Sequence, residues 1–144
     1  MTRYCLDTVA YSHFRRGEPR IVALLDRAEW IGIPVVVLGE LFAGFEGGKH
    51  KQKNLAELDE FLSAPVVEIL PVDRATAEIF GGIVADLRRK RRPIRANDIW
   101  VAASCARAGK TLLTWNAHFR EIPILGALNF ESLSGGPPPR ASAR

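Results

Sequence analysis

The sequence predicts an α/β sandwich built around a mainly parallel β-sheet. Short apolar segments alternate with amphipathic segments along the chain, and glycines and prolines stand between them. This alternation favours a parallel sheet, because two parallel strands need a crossover connection that is usually a helix. The chain has 144 residues, of which 47% are hydrophobic and 25% charged, so it suits one globular domain with its own core.

Strand and helix signals follow one another through the first half of the chain. Gly17 to Pro19 interrupt a helical pattern, and Gly47-Gly48 end a later one. The β-branched stretch Ile33–Val37 is typical of a buried strand. The predicted elements here are a strand at 4–6, helices to about 16 and at 20–29, a strand at 33–37, a helix at 38–45 and an amphipathic helix around 55–62.

The second half continues the alternation. A long helix is expected between its N-cap Asp73 and Pro93, which interrupts it, and Gly109 suits a helix C-terminus. Residues 134–144 contain Gly-Gly-Pro-Pro-Pro and no core-forming residues, so we predict a domain at 1–133 and a flexible tail at 134–144. The other predicted elements are a strand at 66–70, a helix from Asn97 or Asp98 to Ala108, a strand at 111–114 and a short strand at 128–130.

Three acidic residues stand at comparable places in this pattern. Asp7 directly follows the first strand, Glu40 lies three residues past the predicted second strand, and Asp98 opens a predicted helix. Ligands of open α/β sheets bind in the crevice beyond the carboxyl ends of the strands. Acids far apart in sequence can therefore converge in one cleft.

A convergent set of carboxylates needs protons or cations to offset its mutual repulsion. Oxygen ligands without accompanying cysteine or histidine favour Mg²⁺ or Mn²⁺. Each acid also has a structural explanation, since Asp7 and Asp98 suit helix N-termini and Glu40 favours a helix dipole. Glu40 stands among apolar residues, where an unpaired carboxylate is costly, and this supports a metal-ligand role.

The excess positive charge is concentrated in one segment. The chain carries a net charge of +4, and residues 88–95 alone hold five arginines and a lysine within eight positions. These cations suit a solvated helix end, where they oppose the negative pole of the helix dipole. They equally suit an edge that contacts the phosphates of a polyanion. The run alone does not choose between the two.

Cysteine, histidine and hydropathy patterns exclude other classes. Cys5 and Cys105 form no CxxC pair and are expected to be small buried hydrophobic residues, and three scattered histidines do not indicate a zinc site. The apolar stretches are too short to cross a bilayer, and the N-terminal residues lack the apolar core of a signal peptide. We therefore expect no membrane association and a cytoplasmic location.

Four ordered segments resemble the PIN domain, and within it the VapC-like toxins of type II toxin–antitoxin systems. The resemblance covers roughly residues 1–133 and rests on four ordered blocks, which is more specific than any one of them. The matching segments are Tyr4-Cys5-Leu6-Asp7-Thr8, Leu38-Gly39-Glu40-Leu41-Phe42-Ala43-Gly44, Ala96-Asn97-Asp98-Ile99-Trp100-Val101-Ala102-Ala103 and Thr111-Leu112-Leu113-Thr114-Trp115-Asn116-Ala117-His118-Phe119.

The resemblance implies a Rossmann-like, three-layer α/β/α sandwich and a Mg²⁺- or Mn²⁺-dependent endoribonuclease. It implies that Asp7, Glu40 and Asp98 ligate the metal, that a VapB-like antitoxin inserts a segment into the groove, and that the toxin forms a homodimer. The expected reaction is hydrolysis of an RNA phosphodiester by metal-activated water. Its products would carry a 5′-phosphate and a 3′-hydroxyl.

The remaining candidate residues surround these acids. Many PIN domains carry a fourth acid where this chain has Asn116, whose amide supplies an oxygen but no charge, so a second metal ion is in doubt. Thr114 could orient water or a carboxylate through its hydroxyl, or could be a polar strand residue, and Thr8 is interpreted in the same two ways. Arg92 and Arg95 stand nearest to Asp98 in the basic run and are the expected RNA phosphate contacts.

Two other functions compete with this hypothesis. A PIN-like domain can keep its fold and act as an RNA- or protein-binding module, and Asn116 keeps this alternative open. A phospho-accepting receiver domain also places acids beyond parallel strands. Receivers usually have an acidic pair after the first strand and a lysine after the last, whereas this chain has one acid at Asp7 and no lysine in Thr114-Trp115-Asn116.

Overall fold

Five parallel strands form one central sheet in the computed structural model of this chain, which describes residues 2–130. Every strand pair is parallel, as the alternating pattern predicts. The predicted tail at 134–144 and the end of the predicted domain lie outside the described residues. The strands are β1 (Arg3–Leu6), β2 (Trp30–Pro34), β3 (Val67–Leu70), β4 (Thr111–Thr114) and β5 (Ala127–Asn129).

Six α-helices and one 3₁₀-helix connect the strands. Asp7 and Asp73 cap their helices with side-chain oxygens, and Gly109 adopts a left-handed conformation after the last helix. The caps predicted at Asp73 and Gly109 are therefore confirmed. The helices are α1 (Thr8–Arg15), α2 (Pro19–Asp26), α3 (Val35–Glu46), α4 (Lys51–Leu62), α5 (Arg74–Lys90), α6 (Ala96–Ala108) and the 3₁₀-helix Ala117–Glu121.

The strand order β3-β2-β1-β4-β5 places the first strand at the centre. The chain moves outward from β1 through β2 to β3, then returns past β1 to form β4 and β5 on the other side. Because parallel crossovers are right-handed, this reversal puts the helices before β3 and those after it on opposite faces. The reversal also creates a topological switch point between β1 and β4, where open α/β folds bind ligands.

The core lies between the sheet and both helical layers. The central strands contribute side chains with no exposed surface, including Leu6, Ile33 and Leu112. Cys5 and Cys105 are likewise fully buried and unbridged, as expected of small apolar residues, and burial raises the pKa of the Cys105 thiol. Among residues 2–130, no helix combines the length and apolarity needed to span a bilayer.

The prediction of a strand at 33–37 is wrong in its second half. The strand is Trp30–Pro34, and Val35–Val37 form the first turn of α3. Pro34 ends the strand opposite Leu70 and serves as the helix N-cap, with φ of −60°. The helix then buries residues 37, 38 and 41, a spacing that places them on one helical face, so packing overrides the strand preference of the valines.

Candidate active site

Asp7 occupies the switch point between β1 and β4. It follows the last residue of β1 and caps α1, so one carboxylate oxygen accepts a hydrogen bond from the Ala10 backbone N–H at 2.8 Å. The other accepts from the Thr114 hydroxyl at 2.5 Å. Only 8% of Asp7 is exposed, so the fold fixes this carboxylate firmly at the bottom of the crevice.

Thr114 connects the Asp7 carboxylate to the loop after β4. Its side chain has no exposed surface, and its hydroxyl oxygen accepts the Asn116 backbone N–H at 2.9 Å while the hydroxyl donates to Asp7. The Asn116 side-chain oxygen accepts from the His118 backbone N–H at 2.9 Å and thereby caps the 3₁₀-helix. Thr114 therefore contacts the acidic cluster directly, whereas the observed role of the Asn116 oxygen is a helix cap.

Glu40 lies in the second turn of α3, and not at the start of the helix as the sequence predicted. The Thr8 hydroxyl donates to one of its carboxylate oxygens, and the Asn97 side-chain amide donates to the other at 3.2 Å. Thr8 directly follows Asp7 and Asn97 directly precedes Asp98. Each of the other two acids is therefore next in sequence to a residue that holds Glu40.

Asp98 is the third residue of α6, which begins at Ala96 and so starts slightly before the predicted position. The Arg95 guanidinium lies 3.3 Å from one Asp98 carboxylate oxygen and 3.9 Å from a Glu40 carboxylate oxygen. The side chains of Asp98 and Glu40 are 15% and 23% exposed, whereas that of Arg95 is 74% exposed. Arg95 thus bridges two of the three predicted acids from the solvent side.

Arg92, the other predicted RNA contact, is directed elsewhere. Its guanidinium lies 4.0 Å from the Glu121 carboxylate at the end of the 3₁₀-helix. Asn97 was not predicted as a site residue, although it stands beside a predicted acid, as Thr8 does. Its adjacency to Asp98 is the signal that could have identified it, because a clustered carboxylate needs nearby donors.

The three acids interact electrostatically. Burial raises the pKa of Asp7 from 3.8 to about 6, although the hydrogen bonds from Thr114 and Ala10 oppose that rise. The negative charges of Asp98 and Glu40 raise it further. Residues 7, 40 and 98, which are far apart in sequence, therefore share one electrostatic environment at the carboxyl end of the sheet.

The PIN domain family model matches residues 4–125, which is most of the chain. The chain belongs to the PIN-domain family. The fold predicted from the resemblance is confirmed, because solved VapBC structures match most of this chain.

Curated bacterial ribonucleases resemble this PIN domain along much of its length. It is 31% identical over 134 residues to Ribonuclease VapC2 of Haemophilus influenzae, spanning 92% of this chain and 98% of that protein. It is 33% identical over 102 residues to the tRNA(fMet)-specific endonuclease VapC of Shigella flexneri, spanning 71% and 74%. The crystal structure of VapBC2 from Rickettsia felis bound to a promoter DNA fragment matches with a TM-score of 0.75 and 29% identity, covering 88% of this chain and 98% of that one.

The donor set of this PIN domain suits a hard divalent cation, since it offers carboxylate oxygens from three residues. Among residues 2–130, however, no three His, Cys, Asp or Glu side chains are grouped closely enough to hold a metal ion as they stand. The contacts above give the reason. Protein donors occupy the oxygens of Asp7 and Glu40, and Arg95 occupies the space between Glu40 and Asp98. If these three acids hold a metal ion, the outer side chains have to rotate and Arg95 has to move aside.

The raised pKa of Asp7 makes the stability of the metal-free PIN domain depend on pH. A carboxyl group with a raised pKa binds its proton more tightly in the folded state, so its ionisation opposes folding. We expect the stability gained from Asp7→Asn, relative to the native chain, to be small below pH 3.8. The stability gain should grow between pH 3.8 and about 6 and level off above that pH, at no more than about 3 kcal/mol.

Urea unfolding of both proteins in EDTA at a series of pH values measures this difference. Taking the difference cancels the titration of groups that both proteins share. If the difference in the free energy of unfolding between the two proteins stays constant from pH 4 to pH 7, burial of the ionised Asp7 side chain does not have the expected cost.

Proposed function

We propose that this chain is a Mg²⁺- or Mn²⁺-dependent endoribonuclease and the toxin component of a VapBC-like toxin–antitoxin system. The observation that carries the proposal is the convergence of Asp7, Glu40 and Asp98 at the switch point of a PIN domain. Relatives named as VapC ribonucleases, one of which matches 92% of the chain, support it. Carboxylates that lie together in a crevice repel one another, so their grouping indicates a site for a cation.

Asp7, Glu40 and Asp98 would hold the divalent ion. When bound, such an ion lowers the pKa of water and offsets negative charge on a phosphate. Thr114 fixes the orientation of Asp7, and Thr8 and Asn97 do the same for Glu40. In the proposed reaction, water adds to phosphorus and the bond from phosphorus to the 3′-oxygen breaks. The leaving oxygen takes a proton to become the 3′-hydroxyl, and the new oxygen remains on the 5′-phosphate.

Arg95 has two roles in this proposal. Where it lies between Glu40 and Asp98 it offsets their charges, and when it withdraws its guanidinium can contact RNA phosphate. We expect Arg95→Gln to strengthen Mn²⁺ binding by about two- to fivefold, because a competing cation is removed. The same change should weaken RNA binding.

Isothermal titration with Mn²⁺ measures the first effect, and fluorescence anisotropy with labelled RNA in EDTA measures the second. Arg92→Gln is the matched control, since Arg92 faces Glu121 and should leave Mn²⁺ affinity unchanged. Equal or weaker Mn²⁺ binding by Arg95→Gln would show that the guanidinium does not compete for the site.

The proposed partners are a VapB-like antitoxin, an RNA substrate and a second copy of the chain, in the cytoplasm. Solved relatives include VapBC assemblies from several bacteria. In this chain Val9, Val35 and Phe42 are each more than 40% exposed on α1 and α3, the helices that carry Thr8 and Glu40. Apolar exposure beside the candidate site suits a protein partner that covers it.

The experiment that tests the proposal is incubation of total cellular RNA with the purified, antitoxin-free protein in Mn²⁺ or Mg²⁺ and in EDTA. We expect fragments with 5′-phosphate ends in the presence of metal and intact RNA in EDTA. The alternative of a binding module, which Asn116 keeps open, predicts RNA retention without cleavage under both conditions. Intact RNA in Mn²⁺, while a verified relative cleaves it, would reject the nuclease.

A further inference from the structure

A cavity of about 420 Å³ lies where α5 ends and α6 begins. Its floor is apolar, and Leu87 and Ile99 on that floor are almost completely buried. Three arginines, Arg88, Arg91 and Arg92, line the same cavity. We refer to it as the arginine cavity, and its remaining lining residues are Val84, Pro93 and Ile94.

The arginine cavity adjoins the candidate active site. Ile94 and Ile99 line it, and these two residues flank the segment that carries Arg95 and Asp98. Consecutive Cα atoms are about 3.8 Å apart, so Ile99 in the cavity wall is one residue from a proposed metal ligand. The cavity wall and the proposed metal ligand therefore share the first turn of α6.

The cations that line the cavity differ from their neighbours on α5. Arg89 and Lys90 pair with Asp86 at 3.1 and 2.8 Å. Arg88 and Arg91 form no ion pair with any of residues 2–130. Two of the three arginines in the cavity thus carry charge that the described part of the chain does not offset, which suits an anionic ligand.

The backbone at Arg91 is an independent observation. With φ of 55° and ψ of 45°, Arg91 is the only non-glycine residue among 2–130 with a positive φ. The equivalent position after α6 is occupied by Gly109, which adopts this conformation without steric cost. A strained residue whose side chain lines a cavity points to a role for that side chain.

We propose that the arginine cavity binds one nucleotide of the single-stranded RNA beside the cleaved bond, an inference that rests on the proposed function. The apolar floor receives the face of a base, on which the guanidinium groups stack. An apolar floor alone would suit many ligands. The unpaired arginines and the adjacent proposed phosphodiester site favour a nucleotide among these ligands.

Fluorescence anisotropy in EDTA tests the cavity without cleavage. The probes are a labelled single-stranded oligoribonucleotide of about ten nucleotides and an abasic oligomer of equal length and charge. We expect Arg88→Ala and Arg91→Ala to weaken RNA binding about tenfold. Arg89→Ala removes the same charge from the same helix outside the cavity, and should cost at most about threefold.

The abasic oligomer has the phosphates of RNA but no bases, so it shows how much of any loss of affinity comes from charge alone. Its affinity should fall less than that of RNA when Arg91 is replaced. The proposal is overturned if Arg88→Ala and Arg91→Ala weaken binding no more than Arg89→Ala does, or if both probes lose affinity equally. Loss of binding to a co-expressed antitoxin with unchanged RNA affinity would overturn it in favour of a protein-binding cavity.

Arg91→Gly distinguishes ligand binding from folding. Glycine relieves the left-handed backbone, so the melting temperature should stay equal or rise while RNA affinity falls. RNA cleavage in Mn²⁺ by the native chain reports on the proposed function separately. If the native chain cleaves RNA but Arg88→Ala and Arg91→Ala bind RNA as tightly as Arg89→Ala does, only the proposal about the cavity is rejected. If the cavity variants lose RNA affinity but the native chain does not cleave RNA, only the proposed nuclease activity is rejected.

Discussion

Replacing Asp7 or Asp98 by asparagine will reduce metal-dependent RNA cleavage on the order of 10³-fold. The amide keeps the size of the side chain but removes the charge that a divalent ion requires. Asparagine is also a good N-cap residue, so Asp7→Asn can retain the hydrogen bond from Ala10 and the start of α1. We therefore expect these variants to lose RNA cleavage because metal binding is impaired, while the fold is preserved. Initial cleavage rates of a labelled RNA in Mn²⁺ measure it.

Asp73→Asn is the matched control for these variants. Asp73 caps α5 through the Thr76 backbone N–H at 2.8 Å, just as Asp7 caps α1 through Ala10. It follows β3 on the far side of β2 from Asp7 and pairs with Arg107. Cleavage by Asp73→Asn should match that of the native chain. Cleavage that persists in Asp7→Asn and Asp98→Asn would indicate a contaminating nuclease or a different site.

Replacing Thr114 by valine will destabilise the chain by about 2–4 kcal/mol and weaken Mn²⁺ binding about 10- to 100-fold. Valine has nearly the same shape but lacks the hydroxyl that donates to Asp7 and accepts from the Asn116 N–H. Because Thr114 is completely buried, no water replaces either bond readily. Losing the Thr114 hydrogen bond also raises the pKa of Asp7 further, since that bond lowers it.

Urea unfolding and Mn²⁺ titration near pH 7 measure the two effects of Thr114→Val. Thr114→Ser keeps the hydroxyl and loses only a methyl group, so it should recover most of the metal affinity. If Thr114→Ser binds Mn²⁺ as weakly as Thr114→Val, the hydroxyl does not position Asp7 and Thr114 contributes only packing.

The sequence was most informative where local chemistry fixes the backbone. Asp73 and Gly109 end their helices as predicted, because a cap depends on neighbouring backbone groups alone. Asp7 was placed correctly after the first strand for a similar reason. The convergence of the three acids followed from the general behaviour of parallel sheets, which needs only the order of strands and helices.

Local sequence patterns could not predict the contacts between segments that are distant in the chain. The boundary between β2 and α3 depends on pairing with β1 and β3, so three valines in sequence gave a misleading strand signal. The donors to Glu40 come from residues 32 positions before it and 57 positions after it. The position of Arg95 between two acids likewise depends on how α3 and α6 approach one another.

The central position of β1 also determines when the candidate site can form during synthesis. Asp7 is made early in this domain, but the Thr114 hydroxyl that fixes its carboxylate comes 107 residues later, at the end of β4. A nascent chain therefore carries its acids in an unassembled state until most of the domain has left the ribosome. For a protein proposed to cut RNA, activity is therefore delayed until β4 has been made and has joined the sheet.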